Sequence, residues 1–170
     1  MREIAFLNAS HEPERTSDNF RREVPANLIE FRVQDDEFPS SIDFDGVVIS
    51  GSSSSVLDDA AWLDHTLTWL DSALDADLPV LGVCFGHQLL AVALGGSVET
   101  MGQDELGYRP MLHDGDPVFE TVGNPFVAFA THSDRVTELP SGSRKMAWND
   151  FGVQGFRHGN RVGVQFHPEY

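Results

Sequence analysis

Val80-Leu81-Gly82-Val83-Cys84-Phe85-Gly86-His87-Gln88-Leu89-Leu90 is the stretch whose reading decides the fold. Pro79 to Val83 is short, apolar and free of polar alternation, which predicts a strand buried on both faces. The run then passes through Gly-x-Cys-x-Gly directly into a helical pattern. A strand that turns sharply into a helix pushes the side chain at the turn out of the sheet, and flanking glycines let the backbone make that turn without Cβ clashes. Cys84 would then stand at a helix N-terminus, where unpaired N–H groups and the helix dipole favour a thiolate. The N–H of Phe85 would point to where an oxyanion could form. Read alone, Cys84 is equally well a small buried hydrophobe, the commonest fate of a lone cysteine.

Working outward, apolar runs alternate with helical patterns. Ile4-Ala5-Phe6-Leu7, Leu28 to Val33 and Gly46-Val47-Val48-Ile49 read as strands before the central one. Trp62, Leu63, Leu67, Leu70 and Leu74 share a helix face, with Asp58-Asp59 as candidate caps. After Leu90 come shorter runs: Val98-Glu99-Thr100, Val118-Phe119, Phe126 to Phe129, Lys145 to Trp148, Val153 to Phe156 and Arg161 to Phe166. The expectation is a single α/β domain over residues 1–170, with a central, mainly parallel sheet flanked by helices. A smaller, partly antiparallel strand region is expected in the second half.

At the far end stands Gln165-Phe166-His167-Pro168-Glu169. A cysteine nucleophile needs an imidazole to take its proton and return it to a leaving amine, and the imidazole needs a carboxylate to fix its tautomer. His167 and Glu169 lie two apart beyond a strand end, with Pro168 stiffening the backbone between them. By itself the segment reads as a surface turn; with the cysteine elbow upstream it supplies a base and its orienter.

Together, Gly82-Val83-Cys84-Phe85-Gly86-His87-Gln88 and Gln165-Phe166-His167-Pro168-Glu169 resemble the signature pair of the class I (triad-type) glutamine amidotransferases. The resemblance covers nearly the whole chain and implies a flavodoxin-like fold and a Cys84-His167-Glu169 glutaminase. Thiolate attack on the side-chain amide would give a γ-glutamyl thioester, release ammonia, and end in hydrolysis to glutamate. Ser50-Gly51-Ser52 resembles the family's Ser-Gly-Gly loop, so Gly51 or Ser52 is the expected second oxyanion donor beside Phe85. Gln88 matches a position that contacts the substrate. Thr131-His132-Ser133-Asp134 resembles the segment that closes over the substrate's α-amino and carboxylate groups, so His132, Ser133 and Asp134 are expected at the site. Glu105-Leu106-Gly107 matches an active-site-rim motif. Gly51-Ser52 with Val56, Asp58 and Trp62 is more similar to stand-alone, GMP-synthase-like members than to GMP synthase itself. Relatives normally continue past His-Pro-Glu into a helix that packs on the sheet. The expectation is therefore that this chain lacks such a helix and that Glu169 is poorly tied down.

Of the other histidines, His87 is expected to be a neutral structural imidazole, and His11, His65, His113 and His158 surface residues. The resemblance implies glutamine as substrate and leaves room for a synthetase or acceptor subunit. Two alternatives keep the fold: a γ-glutamyl hydrolase acting on a small amide or peptide, and a non-catalytic regulatory subunit. No cofactor is expected, and no metal, because one cysteine and scattered acids offer no ligand spacing.

Charge and length narrow the classes further. Twenty-seven acidic residues face eleven basic ones for a net charge of -16, and Lys145 is the only lysine. This excludes a basic nucleic-acid footprint. No run approaches the roughly 18 apolar residues of a membrane span, and the N-terminus lacks a signal pattern, so a cytoplasmic location is expected. Acid enrichment with lysine depletion is similar to proteins of high-salt cytoplasms. Salt screens self-repulsion over about 10 Å at 0.1 M, so the melting temperature is expected to rise from low to molar salt. A flat or falling melting curve would remove the halophilic reading.

Overall fold

The computed structural model describes residues 1–170, and its order is set by which segments can be buried on both faces. The strands β1 (Glu3–Asn8), β2 (Asn27–Arg32), β3 (Gly46–Ile49) and β4 (Val80–Val83) carry the apolar runs read from the sequence. The helix α1 (Pro13–Glu23) joins β1 to β2, α2 (Ala61–Asp75) joins β3 to β4, and α3 (Phe85–Ala93) follows β4 at once. The second half contains β5 (Ser97–His113), β6 (Phe126–Glu138), β7 (Arg144–Asn149), β8 (Gly152–His158) and β9 (Arg161–Val164). The nine strands run in the order β2-β1-β3-β4-β9-β8-β7-β5-β6. β2, β1, β3, β4 and β9 are parallel neighbours, whereas β9-β8, β8-β7, β7-β5 and β5-β6 are antiparallel. The expected single α/β domain, parallel first and partly antiparallel later, is the fold observed.

Side-chain alternation sends each strand's residues to two cores. Val47 and Ile49 join Ala5 and Leu7 against Leu63, Leu70 and Ala73 of α2 and Leu89 and Leu90 of α3. Val48, between them, faces the other way with Phe6 and Val83, toward Phe20 of α1. Phe6 and Phe20 pack with ring centroids 5.0 Å apart.

Several local readings are corrected. The helix α1 was not legible, because only Ser17 and Phe20 of it are buried. Neither Asp58 nor Asp59 caps α2: the cap position is Ala60 without a side-chain bond, and the Asp58 carboxylate accepts from the Ser55 N–H at 2.9 Å. Val98 to Thr100 is the start of one 17-residue strand, not an isolated piece. Val118-Phe119 is a 3₁₀ turn, not a strand, and its start is capped by Asp116. His113 is buried, stacked on Phe119 at 4.7 Å, and accepts from the Gly115 N–H.

Asp116 ties the end of β5 to the β7–β8 hairpin. Its buried carboxylate accepts two hydrogen bonds of 2.7 Å from Arg157 and is also paired with Arg144. The Arg157 bonds outweigh burial and draw its pKa from 3.8 to about 2. A depressed carboxylate stabilises the fold above its unfolded pKa, and that contribution is lost as pH falls through about 2. Asp116→Asn is expected to cost about 2 kcal/mol, less than breaking a fully buried pair because both arginines reach solvent. Denaturant unfolding of both proteins at neutral pH checks this; equal midpoints would contradict it.

Candidate active site

Three adjacent parallel strands, β3, β4 and β9, end at the same edge of the sheet, the edge where open α/β sheets bind ligands. The segment after β3 carries Ser50-Gly51-Ser52, β4 runs into Cys84, and β9 leads to His167 and Glu169. Residues distant in sequence meet there because strand order, not sequence separation, decides proximity.

Cys84 occupies φ 54°, ψ −104°, a conformation that a non-glycine residue adopts only under strain. The turn holds because Cys84 N–H donates to Val164 O at 2.8 Å and Gly86 N–H donates to Ser50 O at 3.2 Å. The same crowding explains the flanking glycines. A Cβ on Gly82 would overlap the backbone carbonyl of Gly86, and one on Gly86 would overlap that of Ile49. Phe85 opens α3, so its N–H has no intrahelical partner. Trp62 of α2 packs on the Phe85 ring at 5.7 Å. Gly51 abuts the site: a Cβ there would sit 2.9 Å from His167 Cε1 and 3.5 Å from Cys84 Cβ. The N–H groups of Gly51 and Ser52 make no hydrogen bond within the chain and stay available.

His167 is 6% exposed, and its backbone N–H donates to Phe129 O of β6 at 2.8 Å. Its Nδ1 donates to Glu169 Oε1 at 2.7 Å. Nε2 is buried with no hydrogen-bond partner in the chain and lies on the side of Cys84, whose Sγ is directed to Thr131 O at 3.6 Å. Burial pushes the imidazole pKa down, but the bonds and charges of Cys84 and Glu169 outweigh it and raise the value from 6.5 to about 10. Near neutral pH, His167 therefore holds its proton.

Glu169 is held more firmly than its place in the sequence suggests. Its side chain is 5% exposed, and Arg22 Nη2 donates to its carbonyl at 2.7 Å. Tyr170 lies flat on the His167 ring at 4.5 Å and 7°.

Cys84 stands between two cavities. The first, of about 350 Å³, is bordered by Gln88, His132, Ser133 and Asp134 and by Phe85. The second, of about 310 Å³, is bordered by Gly51, His167 and Glu169 and by the start of α1. Ser52, Ser53 and Thr131 border both. Every candidate site residue read from the sequence thus lines one or the other.

Two of them differ in detail from expectation. Gln88 donates its amide to Asp134 O at 2.9 Å and to Gln165 Oε1 at 3.1 Å, so its nitrogen is engaged within the protein. His132 has both ring nitrogens taken: Nδ1 donates to Asp134 O at 2.7 Å, and Nε2 pairs with Glu105 Oε2 at 2.6 Å. Glu105 borders the first cavity with Leu106, as expected, but is itself fully buried. Its other donors are Asn149 at 2.5 Å and Gln154 at 2.8 Å, both missed in the sequence. Burial alone would raise the Glu105 pKa, but these donors, His132 first, lower it and keep the carboxylate ionised. A buried carboxylate therefore clamps His132, and His132 and Gln88 together fix the Asp134 carbonyl in the wall of the first cavity. His87 is fully buried against Phe156, and burial lowers its pKa to about 3, so it is the neutral imidazole expected.

The family described as glutamine amidotransferase class-I matches residues 16–170. A glutamine-hydrolysing GMP synthase subunit from Methanococcus vannielii is 31% identical over 150 residues, covering 86% of this chain and 75% of its own. Gamma-glutamyl peptidase 5 of Arabidopsis thaliana is 34% identical over 152 residues, covering 82% of this chain and 61% of its own. A Thermotoga maritima glutamine amidotransferase crystal structure superposes with a TM-score of 0.84 at 24% identity, covering 99% of this chain and 76% of its own. No helix is long and apolar enough to cross a membrane. The chain belongs to the class I glutamine amidotransferase family.

Proposed function

We propose that this amidotransferase hydrolyses glutamine through a γ-glutamyl thioester on Cys84, with His167 and Glu169 completing the triad. The observation that carries the reading is the Cys84 elbow facing a buried, protonated His167 that Glu169 orients. The imidazolium and the N-terminus of α3 both favour negative charge on Sγ. Sγ attacks the side-chain carbonyl carbon, and the developing oxyanion is met by the N–H of Phe85 and that of Gly51 or Ser52. His167 gives its proton to the departing nitrogen, then takes one from the water that hydrolyses the thioester. Glutamate and ammonia should appear in equal amounts; production of neither from glutamine would end the reading.

Glutamine's α-amino and carboxylate groups fit the first cavity, against Ser133 and Asp134. Because its ring nitrogens are engaged, His132 is a positioning residue for this wall, held by Glu105. Glu105→Gln should raise the KM for glutamine by about tenfold, with a smaller change in kcat. The melting temperature should also fall, since the buried bonds that Glu105 accepts from His132, Asn149 and Gln154 are weakened or lost. Steady-state kinetics with a thermal melt check both, and an unchanged KM would contradict the clamp.

The relative from Methanococcus vannielii bears the name of one subunit of GMP synthase. By that likeness, the ammonia released here passes to a synthetase subunit on a separate chain. Glutaminase activity that rises when such a subunit is added, with co-elution of the two chains, would support this. The γ-glutamyl hydrolase reading is favoured by one observation, the cavity on the His167 side of Cys84.

A further inference from the structure

The N–H groups of Gly51 and Ser52 belong to two peptides held in different directions. Both peptides are trans, so each carbonyl points opposite to the N–H that follows it. Ser50 O accepts from the Gly86 N–H in the first turn of α3 at 3.2 Å, so the Gly51 N–H points away from that helix end and from Phe85. Gly51 O accepts from the fully buried Ser50 hydroxyl at 2.9 Å, so the Ser52 N–H points away from Ser50. Ser52 borders both cavities beside Cys84, which leaves its N–H the one placed to act with that of Phe85.

Gly51 itself does little to fix that peptide, because glycine turns freely about φ and ψ. The restraint comes from a ring of hydrogen bonds that closes around it. Ala9 N–H donates to Ser50 Oγ at 2.9 Å. The Gln34 amide donates to Ala9 O at 2.5 Å and to Ser52 Oγ at 3.2 Å. Ser50 and Gln34 therefore grip the Gly51–Ser52 peptide from its two ends, and fully buried Ala9 ties the grips together. Gln34 stands in a 3₁₀ turn, Val33–Asp35, that follows β2, two strands away from β3 in the sheet. It borders neither cavity. The second grip depends on Ser52, since the Ser-Gly-Gly loop that this segment resembles has no hydroxyl there for an amide to hold.

We propose that Gln34 is a positioning residue for glutamine hydrolysis, aiming the Ser52 N–H at the oxyanion through the Ser52 hydroxyl and Ala9. The proposal rests on the Cys84 thioester reading and adds a residue outside the site to it. A donor fixed in advance acts on the tetrahedral oxyanion far more than on bound glutamine, so loss of its aim lowers kcat and leaves KM in place.

The test uses two variants of a half-buried side chain. Gln34→Leu removes the donor, and Gln34→Glu puts an acceptor of the same shape in its place. Each is expected to lower kcat for glutamine by about tenfold with KM within about twofold, less than the outright loss of an oxyanion donor. A second readout uses the γ-aldehyde analogue of glutamine, in which hydrogen replaces the amide nitrogen. Sγ bonds to its aldehyde carbon, the thiol proton passes to the oxygen, and that oxygen stands where the oxyanion forms. Its affinity should fall by about tenfold in both variants, while that of glutamine, read in the Cys84→Ala background, should stay within about twofold. Ser52→Ala keeps the N–H and removes the hydroxyl, so Gln34→Leu should cost less in that background than in the parent protein.

Unchanged kcat in both Gln34 variants, or equal weakening of glutamine and the aldehyde, would overturn the positioning role and leave the thioester reading standing. Effects of Gln34→Leu and Ser52→Ala that simply multiply would overturn the route through Ser52. A parent protein that neither hydrolyses glutamine nor bonds the aldehyde would overturn both readings.

Discussion

Cys84→Ala is expected to remove glutamine hydrolysis, lowering turnover on the order of 10⁴-fold or more, while the fold remains. Alanine fits the elbow because the backbone there is fixed by Val164 O and Ser50 O, not by the sulfur. Without Sγ no thioester forms, and His167 has no nucleophile to serve. The strained backbone adds a second readout. Cys84→Gly should melt at a higher temperature than Cys84→Ala, since glycine adopts φ 54°, ψ −104° at little cost and strain of this kind is worth about 1–3 kcal/mol. Appreciable turnover by the alanine variant would sink the assignment of Cys84. Equal melting of the two variants would show that the elbow is not strained.

The second large effect is at His167. His167→Ala should lower turnover by about 10³-fold or more, because both the proton delivered to the departing nitrogen and the one taken from water pass through Nε2. In the parent protein, kcat/KM for glutamine should hold from neutral pH upward and fall as pH passes about 10, where the imidazolium loses its proton. Stability should follow with the same sign. A histidine whose pKa is raised from 6.5 to about 10 contributes stability that is complete below 6.5 and gone above 10. The alanine variant should lack this alkaline loss. A parent profile already falling near pH 6.5, the unshifted value, would contradict the pairing of His167 with Cys84 and Glu169.

The sequence was most legible where one local pattern served both fold and chemistry. Pro79 to Gly86 called for a buried strand and a sharp turn, which together account for its apolar run and its glycines. His167 and Glu169 were legible because the imidazole and the carboxylate that accepts its hydrogen bond lie two residues apart in the chain. Glu105 was hard to read because nothing local marks it for burial. It sits in β5 between exposed Asp104 and Leu106, and the groups that hold it, His132, Asn149 and Gln154, come from β6, β7 and β8. The full length of β5 was hidden by Gly102, Gly107 and Pro110 and by a register shift between Thr100 and Glu105, which break its alternation. The helix α1 escaped because it buries almost nothing. Glu169 looked loose because Arg22, which holds its carbonyl, lies 147 residues away.

The account turns on a covalent intermediate at one atom, and that can be measured directly. The parent protein would be mixed with isotopically labelled glutamine, quenched in acid during turnover, digested and analysed for bound label. The expected result is label on the peptide containing Cys84, released by hydroxylamine as a thioester, and none on the Cys84→Ala variant. Release of glutamate and ammonia at full rate with no label on Cys84 would contradict the account.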